Sequence, residues 1–171
     1  MTPGPTKIVL VATLAVTVAA FASVVAKQLD GTLDAADLSP VLWLLTALFA
    51  MRVAGQVVVA LSRPSWLPPM HDWNLVTYRV LLPVQLVILA IMTWIDVSFS
   101  ASAGPPVERT EAFGWALIAF SAVYAGAMAV RYVVRMRRRP TARWFGGTIP
   151  IVFHLVLATY LYALGTFHVG S

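Results

Sequence analysis

The chain has 171 residues, of which 60% are hydrophobic and only 11% charged, and its mean hydropathy is +0.82. Soluble domains average about 45–50% apolar and about 25% charged residues, so an ordinary soluble domain is excluded and a lipid solvent is required. The chain contains no cysteine, which rules out disulfides, iron–sulfur clusters and thiolate zinc sites. Its net charge of +5 clusters beside an apolar segment. That is the pattern of a membrane flank, so no nucleic-acid partner is expected.

Five stretches are long enough to cross a hydrocarbon core about 30 Å thick, at about 20 residues each. They are predicted at 8–26, 40–61, 78–97, 112–134 and 148–168, giving one all-α, integral membrane bundle of five transmembrane helices over residues 1–171. The first stretch also resembles a signal peptide, with Val24 and Ala26 suiting a cleavage site. Its apolar run of about 19 residues exceeds the usual h-region of about 7–15, which favours a retained helix. Removal would leave four helices in the same orientation. Ala15, Ala19 and Ser23 form a stripe of small residues suited to close helix contact. Gly31 and Pro40 punctuate the gap that follows.

The second stretch carries Arg52 near its centre, with Gln56 one turn further along the same face and Gly55 beside it. An intramembrane arginine is a functional hypothesis by default, because the bilayer makes its charge costly. The gap after it, "SRPSWLPPMHDWN", is broken by Pro64, Pro68 and Pro69. Trp66, Leu67, Met70 and Trp73 suit an interfacial lid, and His71 with Asp72 makes a pair able to transfer protons.

The third stretch holds Pro83, which frees the Arg79 carbonyl, and Gln85. The fourth holds Tyr124 and a small-residue stripe of Ser121, Ala125 and Ala129. The fifth begins with Pro150 in its first turn, where proline is tolerated, and carries His154 and His168. A bis-histidine haem needs two histidines at one depth on facing helices, and no such pair exists here, so haem is disfavoured.

Orientation follows from charge. The gap 135–147 holds Arg135, Arg137, Arg138, Arg139 and Arg143, so it belongs in the cytoplasm of a plasma (inner) membrane. Alternation then gives an N-in, C-out topology, with Asp30, Asp34, Asp37, Glu108 and Glu111 in outside gaps. Trp43, Trp94 and Trp115 fall at outer ends, as amphipathic indoles prefer.

Counting inward at about 1.5 Å per residue places Arg52, Gln56, Gln85, Tyr124 and His154 roughly 9–15 Å from the cytoplasmic face. Converging faces would make them one polar pocket, and none of the seven carboxylates shares that depth. A buried guanidinium calls for an anion, supplied by Asp72, by a lipid or other ligand, or by a partner membrane subunit; the alternative is that Arg52 snorkels and hydrogen-bonds to Gln56 and backbone.

No nucleophile elbow, phosphate loop, HExxH pair or acidic metal box is present, so a conventional membrane hydrolase is unsupported and no metal ligand set is assigned. The favoured expectation is a non-enzymatic binding or accessory subunit whose pocket takes an anionic, lipid-like or quinone-like molecule. Two alternatives stand beside it. One is a redox or proton-transfer component using His154 or the His71–Asp72 pair. The other is a structural subunit whose Arg52 meets an acid on another chain.

Overall fold

The structure, a computed structural model, describes residues 5–62, 78–100, 108–138 and 149–170. These form α1 (Pro5–Leu29), α2 (Ala35–Ser62), α3 (Tyr78–Ser100), α4 (Glu111–Arg138) and α5 (Ile149–Val169). All five are long and apolar enough to cross a membrane, and no strand occurs among the described residues. Each coincides with one of the stretches read from sequence: α5 is shifted by one residue, and the other ends match or run on by up to five residues.

The helix ends show why. The α1 helix stops at Gly31, whose φ of 65° suits a residue without a Cβ. There the Thr32 amide donates to the Lys27 carbonyl at 3.0 Å and the Gly31 amide to Gln28 at 3.2 Å, a Schellman closure. The α2 helix starts before Pro40, because Asp34 Oδ1 caps the Asp37 amide at 2.7 Å. Pro40 then sits where its missing donor affects only the second turn. Lys27 pairs with Asp37 at 2.6 Å across this corner. The α4 helix runs on through Arg135, Arg137 and Arg138, cations that complement the negative end of its dipole.

The α5 helix is the hub. It packs on α1, α2 and α4, whereas α3 leans on α2 and α4 leans on α5 alone. Burial follows this order, with 72% of the α5 span enclosed against 11% of the α4 span. Leu42, Leu45, Phe49, Val156, Tyr160 and Phe167 form much of the core. The α4–α5 contact is close because glycines face each other, Gly165 lying against the Gly114 carbonyl, and because the Ser121 hydroxyl donates to the Ala158 carbonyl at 2.7 Å.

One packing expectation is corrected. Ala15, Ala19 and Ser23 face outward, and α1 buries Leu10, Thr13, Thr17, Ala20 and Val24 instead. The two stripes are two residues out of phase, about 200° around a helix of 3.6 residues per turn. The bulkier stripe fills the space against α5, and the Thr17 hydroxyl is satisfied by the Thr13 carbonyl at 2.7 Å. In α4, Ser121 is buried as expected, but Ala125 is only half-buried and Ala129 is exposed.

Candidate functional site

Helix registers decide which polar side chains meet. On α5, His154 Nδ1 lies 3.0 Å from the Tyr124 hydroxyl of α4, with ring centroids 5.5 Å apart. Arg52 of α2 is 3% exposed, and its guanidinium carbon stands 5.7 Å from the centre of the Phe153 ring on α5. It is close enough to Tyr124 and His154 to act electrostatically on both. Three of the five expected site residues, from three helices, therefore share one locus.

Gln56 and Gln85 are buried on the facing helices α2 and α3. The Ser39–Ser100 contact at 3.0 Å sets an antiparallel α2–α3 register. It brings the two glutamines to within about one turn of the same level, at about 1.5 Å per residue. Gln56 Nε2, Gln85 Oε1 and Arg52 Nε are all buried and find no hydrogen-bond partner among the described residues. Buried polar atoms in folded proteins are nearly always paired, so three orphans in one layer mark a place built to receive polar groups. His71 and Asp72 lie outside the described residues.

The electrostatics have one sign. Arg131 of α4, like Arg52, is near enough to His154 to act on it electrostatically. Tyr124, Arg131 and Arg135 fall at a spacing that keeps them on one stripe of α4. Among the described residues no carboxylate pairs with Arg52 or Arg131, and the one ion pair is the remote Lys27–Asp37. Sequence reading passed over Arg131 as part of an apolar span. Its spacing from Tyr124 was the signal that could have found it.

Because α3 and α4 do not touch, a lateral groove of about 410 Å³ opens between them over α5. Its walls are almost wholly apolar, including Ile91, Phe99, Phe113, Phe120, Leu157 and Leu164. Tyr124 and His168 are polar residues of its lining, so one end of a hydrocarbon trough abuts the Tyr124–His154 pair. No family model matches this chain, and no curated protein or solved structure matches it. The chemistry of the locus must therefore be argued from its own residues.

A second polar cluster was missed from sequence. Asp96 of α3, one of the seven carboxylates that do not share the Arg52 depth, is fully enclosed. Its Oδ1 lies 2.8 Å from the Tyr160 hydroxyl of α5, and Thr46 of α2 borders both. Gln85, Met92, Asp96 and Phe99 are the buried residues of α3, a stripe at helical spacing. That period placed Asp96 on the same inward face as Gln85, a signal that depth counting alone could not supply.

Proposed function

We propose that this protein is a non-enzymatic binding or accessory component of the plasma membrane, oriented N-in and C-out, that holds an anionic amphiphile. The head group sits in the inner half of the bilayer between Arg52 and Arg131, hydrogen-bonded by the Tyr124–His154 pair. The hydrocarbon chain runs outward along the α3–α4 groove. The supporting observation is Arg52: a guanidinium only 3% exposed, with its Nε unpartnered and no carboxylate beside it among the described residues.

A buried guanidinium is stable only when its hydrogens find acceptors and its charge finds an anion. A phosphate or carboxylate head supplies both, in the forked geometry that arginine matches. A neighbouring apolar trough holds the chain by van der Waals packing, since lipid tails are already out of water. Arg131 and Arg135 extend the positive stripe along α4 and favour the same sign of ligand.

The test is native mass spectrometry of the protein released from mixed zwitterionic and phosphatidylglycerol nanodiscs. Wild type is expected to retain one anionic lipid that Arg52→Met loses. Retention of that lipid by Arg52→Met sinks this reading. A mass increase equal to a second polypeptide would favour the structural-subunit alternative, and a chromophore in the visible spectrum would favour the redox alternative.

A further inference from the structure

The Asp96 cluster stands apart from the proposed head-group site and has its own chemistry. Asp96 is 0% exposed, and its neighbours are neutral. From α2 the facing group is the Thr46 hydroxyl, and from α5 it is Tyr160. Among the described residues, α1, α4 and the rest of α3 bring no titratable or charged group to bear on it. Among the described residues Asp96 makes no ion pair, and its Oδ2 and the adjoining Thr46 Oγ1 lack a hydrogen bond of good geometry.

An ionised carboxylate enclosed this way would lack both a counter-charge and enough donors, a cost of several kcal/mol. The hydrogen-bond geometry favours the neutral acid. The Tyr160 hydroxyl lies 2.8 Å from Asp96 Oδ1 and 3.2 Å from the Met92 carbonyl, but it carries a single hydrogen. A proton on Oδ1 lets Asp96 donate to Tyr160 while Tyr160 donates to Met92, so both contacts become hydrogen bonds. Rotation of the Thr46 hydroxyl then offers a donor to Oδ2. The 2.8 Å separation is that of an ordinary O–H···O hydrogen bond.

We infer that Asp96 is a membrane-embedded proton-binding site, holding its proton at neutral pH between Asp96 Oδ1 and Tyr160. Intramembrane carboxyls that carry a proton are the working parts of proton relays. Tyr160 also lines the α3–α4 groove, so the acid lies one hydroxyl away from whatever occupies that trough. This inference does not depend on the identity of the amphiphile, because Arg52 and its neighbours play no part in it.

Infrared spectroscopy of the full chain in nanodiscs at neutral pH is the test. A carboxylic-acid C=O band is expected in wild type, lost in Asp96→Asn and displaced in Tyr160→Phe. Asp96→Asn, a neutral isostere, is expected to keep the melting temperature within about 2 °C of wild type. An unchanged band in Asp96→Asn overturns the inference. So does a sodium-dependent rise in melting temperature that Asp96→Asn abolishes, which would make the site an ionised cation ligand. If Asp96→Asn cannot be recovered, Tyr160→Phe decides alone: a band that does not move does not belong to Asp96.

Discussion

The Tyr124 hydroxyl and His154 Nδ1, 3.0 Å apart, tie the least enclosed helix of the bundle to its most enclosed one. The contact has two consequences. It sets the rotation of α4 about its axis, which presents Arg131 on the same side. It also ties the imidazole through Nδ1 to the Tyr124 hydroxyl; whichever of the two donates, one hydrogen, on Nε2 or on the hydroxyl, remains for a ligand. Either way, a head group at this locus would meet a donor held in place by that contact.

Tyr124→Phe removes that hydrogen bond and keeps the ring stacked on Phe120, whose centroid is 6.0 Å away. Thermal unfolding in detergent is expected to show a loss of about 0.5–1.5 kcal/mol, the net worth of one such bond. Retention of the anionic lipid is expected to fall, but less than in Arg52→Met, since a hydrogen bond is lost and a charge is not. Equal losses in the two variants would mean that Tyr124 acts only by holding α4 in place.

Arg52→Met makes an opposite pair of changes. Removing an unpaired buried charge and inserting an apolar chain of similar length is neutral or stabilising for the lipid-free protein. Binding of the anionic lipid is nevertheless expected to disappear. The measurement is the melting temperature with and without added phosphatidylglycerol: wild type rises with lipid, and Arg52→Met starts no lower and does not rise. A variant that starts several degrees lower would show that Arg52 is satisfied by its own chain.

Arg131→Gln addresses the outer cation. Arg131 is exposed, so its contribution is screened by salt, whereas that of Arg52 is not. Arg131→Gln is expected to weaken lipid retention severalfold at low ionic strength and hardly at all near 1 M salt, read by titrating lipid into detergent-solubilised protein. A salt-independent loss would place Arg131 in direct, desolvated contact with the head group.

The helices were legible because each apolar stretch is long and bounded by proline, glycine or charge, and hydropathy needs no tertiary information. Counting a fixed rise per residue puts Arg52, Gln56, Gln85, Tyr124 and His154 at one expected depth, and of these the structure groups Arg52, Tyr124 and His154. Facing was harder. Tyr124 and His154 meet because of the α4–α5 register, which Gly114 and Gly165 set through a backbone contact that hydropathy does not encode. The α1 stripe failed for a related reason: Thr13 and Thr17 look polar in sequence, but Thr17 is satisfied within its own helix and buries like an apolar residue. Asp96 was missed because nearness to a helix end suggested solvent, whereas α2 and α5 enclose it.

The glycine contact yields a paired prediction. A methyl group on Gly165 would stand 2.9 Å from the Gly114 carbonyl oxygen and 3.0 Å from the Ile118 amide nitrogen, backbone atoms that cannot move without shifting α4. Gly165→Ala is therefore expected to destabilise by about 1–3 kcal/mol, as overpacking does. It should also break the Tyr124–His154 bond by displacing α4. Gly126→Ala meets nothing within 4 Å and replaces a poor helix former, so it should be neutral or gain up to about 1 kcal/mol. Comparable melting temperatures for the two variants would overturn the close α4–α5 packing.

The N-in, C-out orientation is testable without background, because the chain has no cysteine to remove. Asp30 lies at the α1–α2 corner and Arg138 at the end of α4, and both are exposed. Alternation puts them on opposite faces of the membrane, with Arg138 on the cytoplasmic side beside the other arginines. In intact cells a membrane-impermeant maleimide is expected to label Asp30→Cys, and to label Arg138→Cys only after permeabilisation. The reverse pattern would invert the bundle and move the Arg52 locus into the outer half of the bilayer. Both would then label in one condition only if α2, α3 and α4 did not all cross, which their length and hydropathy argue against.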